Sequence, residues 1–213
     1  MIDWPVSIQF AAVGSAAYCL GCVNAAFYVV RAARGADIRD LGSGNAGATN
    51  AGRVLGPPGF ALVFALDAAK GVLAIWLARW IDAPVAVRAV AMFAVVLGHI
   101  WPLQLRGRGG KGIATLIGAV PAAAPWLSMH LLGPTLLALA CTRRLHWAGV
   151  TAMVCWLPLC WWLGESAAIT IAGVGAAALV LWAHRRDLQP TLRRWRRGSV
   201  PTDAPPRGAA GPT

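Results

Sequence analysis

Two short glycine-rich stretches carry polar and basic side chains, and they are the parts of this sequence best suited to chemistry. The first is GSGNAGATNAGR at residues 42–53, and the second is RGRGGKGIAT at residues 106–115. Glycine-rich backbone lets N–H groups point at an anion, and the start of a following helix adds partial positive charge. The hydroxyl, amide and basic side chains in these stretches suit a phosphate group and a polar alcohol.

The second stretch has the clearer phosphate-binding pattern, because its glycines surround Lys111 and an apolar helix follows. It is not the ATP-binding loop GxxxxGK[ST], since Gly112 follows Lys111 and the glycine spacing differs. ATP hydrolysis is therefore disfavoured. From composition alone an alternative stays open, in which the glycines only form tight turns and the basic residues only follow membrane topology.

The rest of the chain has the composition of a membrane protein. Of its 213 residues, 58% are hydrophobic and 13% are charged, whereas soluble domains carry about 25% charged residues. A net charge of +11 would suggest a nucleic-acid ligand in a soluble protein. Here the basic residues lie between apolar segments, so we expect no nucleic-acid partner. The five cysteines lie in or beside apolar segments without the second pair or histidine cluster of a zinc site, so we expect no metal.

The apolar segments predict an all-α integral membrane protein with seven transmembrane helices. A helical span takes about 20 apolar residues. Five segments qualify, at approximately residues 6–30, 59–80, 85–105, 145–163 and 167–183. The 31 residues at 112–142 are too few for two full spans and contain Pro121, Pro125 and Pro134. We therefore expect the fourth and fifth helices to be short, or to form a re-entrant pair.

The distribution of lysine and arginine predicts the orientation. Alternate loops and the C-terminal tail hold 16 of these residues, while the loops between them hold only Arg79 and Arg88. By the positive-inside rule the basic loops are cytoplasmic, the N-terminus is outside and the C-terminus is inside. Both glycine-rich stretches then face the cytoplasm and can form one site.

A few ionisable residues lie within or at the ends of the predicted spans. Asp67 and Lys70 share one helix face at i and i+3, and we interpret them as a structural ion pair near the site. His99 and His184 end spans, where a lone histidine is more often structural than catalytic. A small transporter is a further hypothesis, but no internal repeat is visible and the polar loops lie at one face.

These motifs resemble those of one family, the bacterial acyl-phosphate:glycerol-3-phosphate acyltransferases (PlsY). SGNAGATNAGR at 43–53 is similar to the family pattern SGN-PGATN-xxR. GHIWP at 98–102 and RGGKGIAT at 108–115 resemble GHxxP followed by KGGKGxAT, and LDAAKG at 66–71 resembles DxxKG. The resemblance extends to about Leu188, and it implies the same seven spans and outside N-terminus that the charge count gives independently.

The resemblance implies an enzyme of phospholipid biosynthesis in the bacterial cytoplasmic membrane, with its active site facing the cytoplasm. It would transfer an acyl group from acyl-phosphate to the 1-hydroxyl of glycerol 3-phosphate, giving lysophosphatidic acid and phosphate, with membrane lipid as surroundings and no cofactor. The expected catalytic residues are Ser43, Arg53, Lys111 and His184. The expected substrate-binding residues are Gly42, Asn45, Gly47, Thr49, Asn50, Arg108, Gly109, Gly110, Gly112, Thr115 and Arg185.

The residues have different expected roles. Lys111, Arg53 and the backbone of 109–112 would bind phosphate. Three polar side chains would position the glycerol hydroxyls and the acyl-phosphate: Ser43, Asn45 and Asn50. His184 and Arg185 would close the cytoplasmic end. No residue is an obvious general base, and the family is thought to use a substrate phosphate for proton transfer. Acylation of Ser43 as a nucleophile is the less favoured alternative.

The chain departs from the family pattern in places. Ala46 replaces the usual proline, Asp187 replaces an asparagine, and Pro190 stands where an arginine is usual. These changes leave room for a second hypothesis, a diverged, non-catalytic membrane protein that binds phosphate or phospholipid. We expect one transmembrane acyltransferase domain at 1–188, and at 189–213 a cytoplasmic tail that is first basic, then rich in Pro, Gly and Ala, and partly disordered.

Overall fold

The structure is a computed structural model that describes residues 4–143 and 145–196, without the side chains of 145, 146 and 186–196. Within these residues the chain forms eight α-helices and two short 3₁₀ turns, with no strand. The helices are α1 (Val6–Cys22), α2 (Ala25–Arg34), α3 (Ala48–Trp80), α4 (Val85–Ile100), α5 (Ile113–Ala123), α6 (Pro125–Thr142), α7 (Leu145–Leu163) and α8 (Ala167–Arg196). The 3₁₀ turns are Ile38–Asp40 and Leu103–Leu105.

Several of these helices have the length and composition of membrane spans, which confirms the predicted all-helical membrane class. Four segments are long and apolar enough to cross a bilayer: Val6–Arg34, Ala48–Trp80, Val85–Leu105 and Ala167–Arg185. Shorter apolar helices occupy Ile113–Ala123 and Trp147–Leu163. Large apolar side chains such as Trp76, Val154 and Ile171 are exposed on the helices, as on a surface that faces lipid. The count of seven crossings stays a prediction.

The first two predicted spans differ from the observed helices. The first is interrupted at Val23 and Asn24, where the extended backbone ends α1 and the Asn24 side chain caps α2. The second span begins earlier, because α3 starts at Ala48 and includes half of the first glycine-rich stretch. A kink at Gly56 (φ 76°, ψ −173°) divides α3, and Pro57 follows at once. Glycine adopts this positive φ at little cost, and a proline cannot continue the hydrogen-bond ladder.

The proline-containing region forms two helices. α5 has 11 residues and α6 has 18, and neither is among the four segments long and apolar enough to cross a bilayer. Two short helices or a re-entrant pair at 112–142 therefore stay a prediction. The break falls at Ala124 before Pro125, while Pro121 and Pro134 lie inside helices.

The chain divides into two compact units, one up to Ala183 and one from His184 onward. The boundary falls within α8, which continues through the basic segment to Arg196. The predicted Pro/Gly/Ala-rich end at 197–213 lies outside the described residues. The predicted domain boundary at 188 stays a prediction.

Two pairs of helices in the first unit cross at glycines. A Cβ added at Gly21 or Gly98 would collide with backbone of the opposite helix of the α1–α4 pair. A Cβ at Gly71 would collide with the Thr115 carbonyl, and one at Gly118 with the Ala68 carbonyl, across the α3–α5 pair. Small residues allow backbones to approach this closely, which is a common way for membrane helices to associate.

The Gly118→Ala variant tests this close packing. We expect it to lower the midpoint of thermal unfolding in detergent, with a loss of about 1–3 kcal/mol in stability, because the added methyl group must displace the α3 backbone. Gly133→Ala in α6 is the matched control, since a Cβ there meets no atom within 4 Å. That control should unfold at the wild-type temperature or slightly above it. Equal midpoints for the two variants would contradict the packing argument.

Candidate functional site

The first glycine-rich stretch is half loop and half helix, and the Asn50 side chain holds the loop in shape. Asn50 lies buried in the first turn of α3. Its Oδ1 accepts the Ser43 N–H at 2.8 Å, and its Nδ2 donates to the carbonyls of Leu41 at 2.9 Å and Ile38 at 3.2 Å. A Cβ at Gly42 would collide with the Asn50 amide, so glycine is required there. The hydrogen bonds of the Asn50 side-chain amide therefore fix the backbone of Ser43.

The polar side chains of this stretch divide by exposure. Ser43, Thr49 and Arg53 are exposed and Asn45 is partly buried, so these four side chains are accessible to a ligand. Gly47 is buried and is the N-cap of α3. The start of α3, with its unpaired N–H groups and partial positive charge, lies beside these accessible side chains.

Asn24 also supports this loop, and the sequence analysis missed it. Its Oδ1 accepts the Phe27 N–H at 2.8 Å, which caps α2, and its Nδ2 donates to the Ala46 carbonyl at 2.9 Å. The side chain is completely buried. The available signal was an asparagine inside an otherwise apolar predicted span.

The second glycine-rich stretch folds back onto the end of α4. The N–H of Gly109 donates to the Ile100 carbonyl and that of Gly110 to the His99 carbonyl, both at 3.1 Å. Gly112, with φ 86°, is the N-cap of α5. The two N–H groups at 109 and 110 are therefore used within the protein, and the part of this backbone suited to an anion is the start of α5.

The two stretches touch each other. A Cβ added at Gly110 would lie 2.8 Å from the Ala46 carbonyl oxygen and would also collide with the His99 ring. Lys111 is partly buried and follows this contact directly, while Ser43 is three residues from Ala46. The two stretches therefore meet at Gly110 and Ala46, with Lys111 and Ser43 close to this contact along the chain.

A buried ionic cluster lies next to this contact and includes the predicted Asp67–Lys70 pair. The Lys70 Nζ lies 2.9 Å from Asp67 Oδ1 and 2.9 Å from His99 Nδ1. It also donates to the carbonyls of Gly21 at 3.1 Å and Val23 at 2.8 Å, at the C-terminal end of α1. Exposed fractions of 6% for Lys70, 1% for Asp67 and 2% for His99 mark the cluster as interior. The cluster joins α1, α3 and α4. The backbone of Gly110 packs against the His99 ring.

The remaining predicted site residues differ in burial and in their local surroundings. Thr115 is completely buried in α5, and its hydroxyl has no hydrogen-bond partner within the described residues. The exposed Arg108 lines a separate basic cavity at the start of the second stretch. His184 and Arg185 are partly buried and begin the second compact unit, so their predicted roles stay predictions. The side chains of Asp187 and Pro190, the predicted departures from the family pattern, lie outside the described residues.

The cysteines and histidines whose side chains the structure describes show no arrangement suited to a metal. No group of three potential metal ligands occurs within the residues that the structure describes. The Cys19 and Cys22 thiols are free, and Cys22 is buried while Cys19 is exposed.

Comparisons with known proteins identify the family. The model of the family described as glycerol-3-phosphate acyltransferase matches residues 11–194. A glycerol-3-phosphate acyltransferase from Thermoanaerobacter sp. (strain X514) is 38% identical over 176 residues, which cover 83% of this chain and 88% of that protein. Glycerol-3-phosphate acyltransferase 1 from Desulfitobacterium hafniense (strain Y51) is 38% identical over 179 residues, covering 84% of this chain and 88% of the relative.

Two crystal structures of PlsY (YgiH), an integral membrane glycerol 3-phosphate acyltransferase, are similar to this structure. Its glycerol 3-phosphate form has a TM-score of 0.73 at 27% identity and covers 92% of this chain and 96% of that one. Its lysophosphatidic acid form has a TM-score of 0.70 at 28% identity, with 89% and 92% covered. Sequence, fold and helix composition agree, and the chain belongs to the glycerol-3-phosphate acyltransferase family as a helical, multi-pass membrane protein.

Proposed function

We propose that this protein transfers an acyl group from acyl-phosphate to the 1-hydroxyl of glycerol 3-phosphate in phospholipid synthesis. Family membership supports the reaction class, and the related PlsY structures, in glycerol 3-phosphate and lysophosphatidic acid forms, support the acceptor and the product. One observation supports the proposal for this chain: Gly110 lies against Ala46, so the two glycine-rich stretches meet. We infer that Lys111 and Ser43, which are one and three residues from this contact, serve one site.

Acyl-phosphate as donor fits a site that lacks a recognisable nucleophile–base pair. The donor is already activated, so a hydroxyl oxygen can attack the acyl carbon directly, and the bond from that carbon to the phosphate oxygen breaks. The hydroxyl proton then passes to a phosphate oxygen, and inorganic phosphate leaves. The protein's task is to hold two anions in attack geometry and to stabilise their charge.

We assign the exposed and partly buried polar groups to direct contact with substrate. Lys111 and Arg53 neutralise phosphate oxygens, and the N-terminal N–H groups of α5 add hydrogen bonds. Ser43 and Asn45 position the glycerol hydroxyls. Thr49, exposed in the first turn of α3, borders the same space.

We assign the buried members of the predicted set to shaping the site. The Asn50 amide nitrogen donates to two loop carbonyls, and its oxygen accepts the Ser43 N–H. Asn50 therefore acts on substrate through Ser43. Gly42, Gly109 and Gly110 are needed because a side chain would collide with neighbouring groups. Gly47 and Gly112 begin α3 and α5. Thr115 lies in the contact between α3 and α5.

The orientation is part of the proposal. Seven crossings place the N-terminus outside and the basic loops in the cytoplasm, where glycerol 3-phosphate is dissolved. The acyl chain of the donor enters sideways from the lipid of the bacterial cytoplasmic membrane. His184 and Arg185 close the cytoplasmic side, and Arg185 contacts phosphate. No cofactor or metal takes part.

Alanine variants of the two cations test the assignment. We expect Lys111→Ala and Arg53→Ala each to lower turnover by at least about 100-fold, because charge developing on phosphate loses a fixed partner. The assay measures phosphate release by purified protein in detergent from acyl-phosphate with glycerol 3-phosphate. Arg79→Ala is the matched control, as Arg79 is exposed at the opposite end of the same helix as Arg53.

Near wild-type turnover in Lys111→Ala or Arg53→Ala would refute those assignments. If the wild-type protein binds glycerol 3-phosphate but releases no phosphate, the second hypothesis applies, that of a non-catalytic phosphate- or phospholipid-binding protein. The departures Asp187 and Pro190 are the reason for keeping that hypothesis.

Direct transfer also predicts that no acyl-enzyme forms. Wild-type protein incubated with acyl-phosphate and no acceptor should show its unmodified mass in intact mass spectrometry. Ser43→Ala should retain measurable turnover, since this serine positions substrate and does not accept the acyl group. An acyl adduct on Ser43, lost in Ser43→Ala together with all activity, would contradict direct transfer.

Cysteine labelling tests the orientation. In a variant with the five native cysteines replaced, Ser43→Cys should react with a membrane-impermeant maleimide only after the membrane of intact cells is opened. Glu165→Cys, in the loop between α7 and α8, should react in intact cells, because seven crossings put that loop outside. The reverse labelling pattern would overturn the proposed topology.

A further inference from the structure

A cavity of about 510 Å³ lies beside the second glycine-rich stretch and is lined almost entirely by cations and amides. The lining residues are Arg39, Gln104, Leu105, Arg106 and Arg108. No acidic residue is among them. Most of these residues lie outside the set that the proposed reaction uses, and Arg108 alone belongs to both.

Arg39 is held in place at this cavity by its own partners. Its Nε lies 3.0 Å from both Asp37 carboxylate oxygens, its Nη2 lies 2.5 Å from Oδ2, and its Nη1 donates to the Leu105 carbonyl at 3.0 Å. Hydrogen bonding to Arg39 holds the pKa of Asp37 below its usual range, so the carboxylate stays ionised at neutral pH. Asp37 therefore compensates Arg39, and Arg106 and Arg108 supply excess positive charge to the cavity.

The backbone turns so that Arg106 and Arg108 line the same space. Arg106 and Gly107 both have left-handed backbones, with φ of 54° and 71°. The N–H groups at 106, 107 and 108 donate to the carbonyls of Leu103, Pro102 and Leu105 at 3.0–3.1 Å. These hydrogen bonds order the turn, so the two arginines extend from a fixed backbone. Positive φ is uncommon for arginine, and here Arg106 is the left-handed C-cap of the 3₁₀ turn Leu103–Leu105.

We propose that this cavity is a second anion-binding site, which takes a phosphate ester group. Guanidinium groups bind phosphate oxygens through paired hydrogen bonds, and the two uncompensated ones, of Arg106 and Arg108, match the charge of a doubly charged group. The volume admits a phosphate with an attached polyol. The neighbouring Leu103 side chain is 75% exposed, so an apolar surface borders the cavity. The phosphate therefore comes from a lipid headgroup or from a dissolved ester, and both share this chemistry.

Binding of labelled inorganic phosphate to the purified protein in uncharged detergent tests the site. We expect phosphate to bind both in the cavity and at the proposed reaction site, where two phosphorylated substrates meet. Arg106→Gln should weaken binding in the cavity by about tenfold or more, because hydrogen bonds to charged groups contribute at least that much. Lys111→Ala should weaken binding at the proposed reaction site and leave the cavity unchanged. The two sites are thus lost independently.

Two further variants distinguish a specific site from general attraction. Arg31→Gln removes the same charge from an exposed arginine in the last turn of α2, outside the cavity, and should bind phosphate with the wild-type stoichiometry and affinity. Arg106→Lys keeps the charge but loses the guanidinium fork, so its affinity should fall between those of the wild type and Arg106→Gln. Because Arg106 is exposed, we expect each variant to keep the wild-type unfolding midpoint.

Phosphatidic acid in mixed micelles identifies the source of the anion. Displacement of phosphate from the Arg106-dependent site at lower concentrations than glycerol 3-phosphate requires indicates a lipid headgroup, and the opposite order indicates a dissolved ester. The proposal is overturned if Arg106→Gln binds phosphate like the wild type, or if Arg31→Gln weakens binding equally. Loss of the Arg106-dependent site with no effect of Lys111→Ala would support the cavity and count against the proposed reaction site.

Discussion

The architecture depends on satisfying one ammonium group in the interior of a membrane protein. A buried charge is costly unless it is paired and fully hydrogen-bonded, and removing one partner of such a pair costs about 3–5 kcal/mol. Lys70 meets this requirement with a carboxylate from its own helix, the His99 ring of α4 and two carbonyls at the end of α1. Three helices must meet at one point for these contacts to form. The second glycine-rich stretch contacts this cluster, because Gly110 packs against the His99 ring, and Gly110 also contacts Ala46 of the first stretch.

Glycine has two different uses in this molecule, and both bring backbone close to other groups. At Gly21, Gly71, Gly98 and Gly118 it lets helices cross in contact, which sets the spacing of α1 with α4 and of α3 with α5. At Gly110 it lets one loop lie on the His99 ring and on the other loop. The crossings and the loop contact are coupled, because α3 and α5 each begin in one of the two glycine-rich stretches. The crossing of α3 with α5 and the contact of the two loops therefore belong to one packing arrangement.

The positive charge of this end of the protein is distributed over two neighbouring places with different surroundings. Lys111 follows the contact between the two glycine-rich stretches, whereas Arg106 and Arg108 line a cavity beside the Asp37–Arg39 pair. Anionic substrates and anionic lipids are both attracted to such a surface. In our two proposals, the charge near Lys111 takes part in the reaction and the charge in the cavity binds an anion.

The membrane class, the glycine-rich motifs and the Asp67–Lys70 pair were readable from the sequence, because apolar run length, residue type and helical spacing are local properties. Tertiary structure alone decided which groups are used by the protein itself. Asn50 and the N–H groups of Gly109 and Gly110 look available in the sequence, but they are bonded to carbonyls that only the fold brings near. Asn24, His99 and Arg39 gained their roles in the same way, through partners between 22 and 66 residues away along the chain. Long-range contacts of this kind depend on how the helices cross, and no local pattern records that.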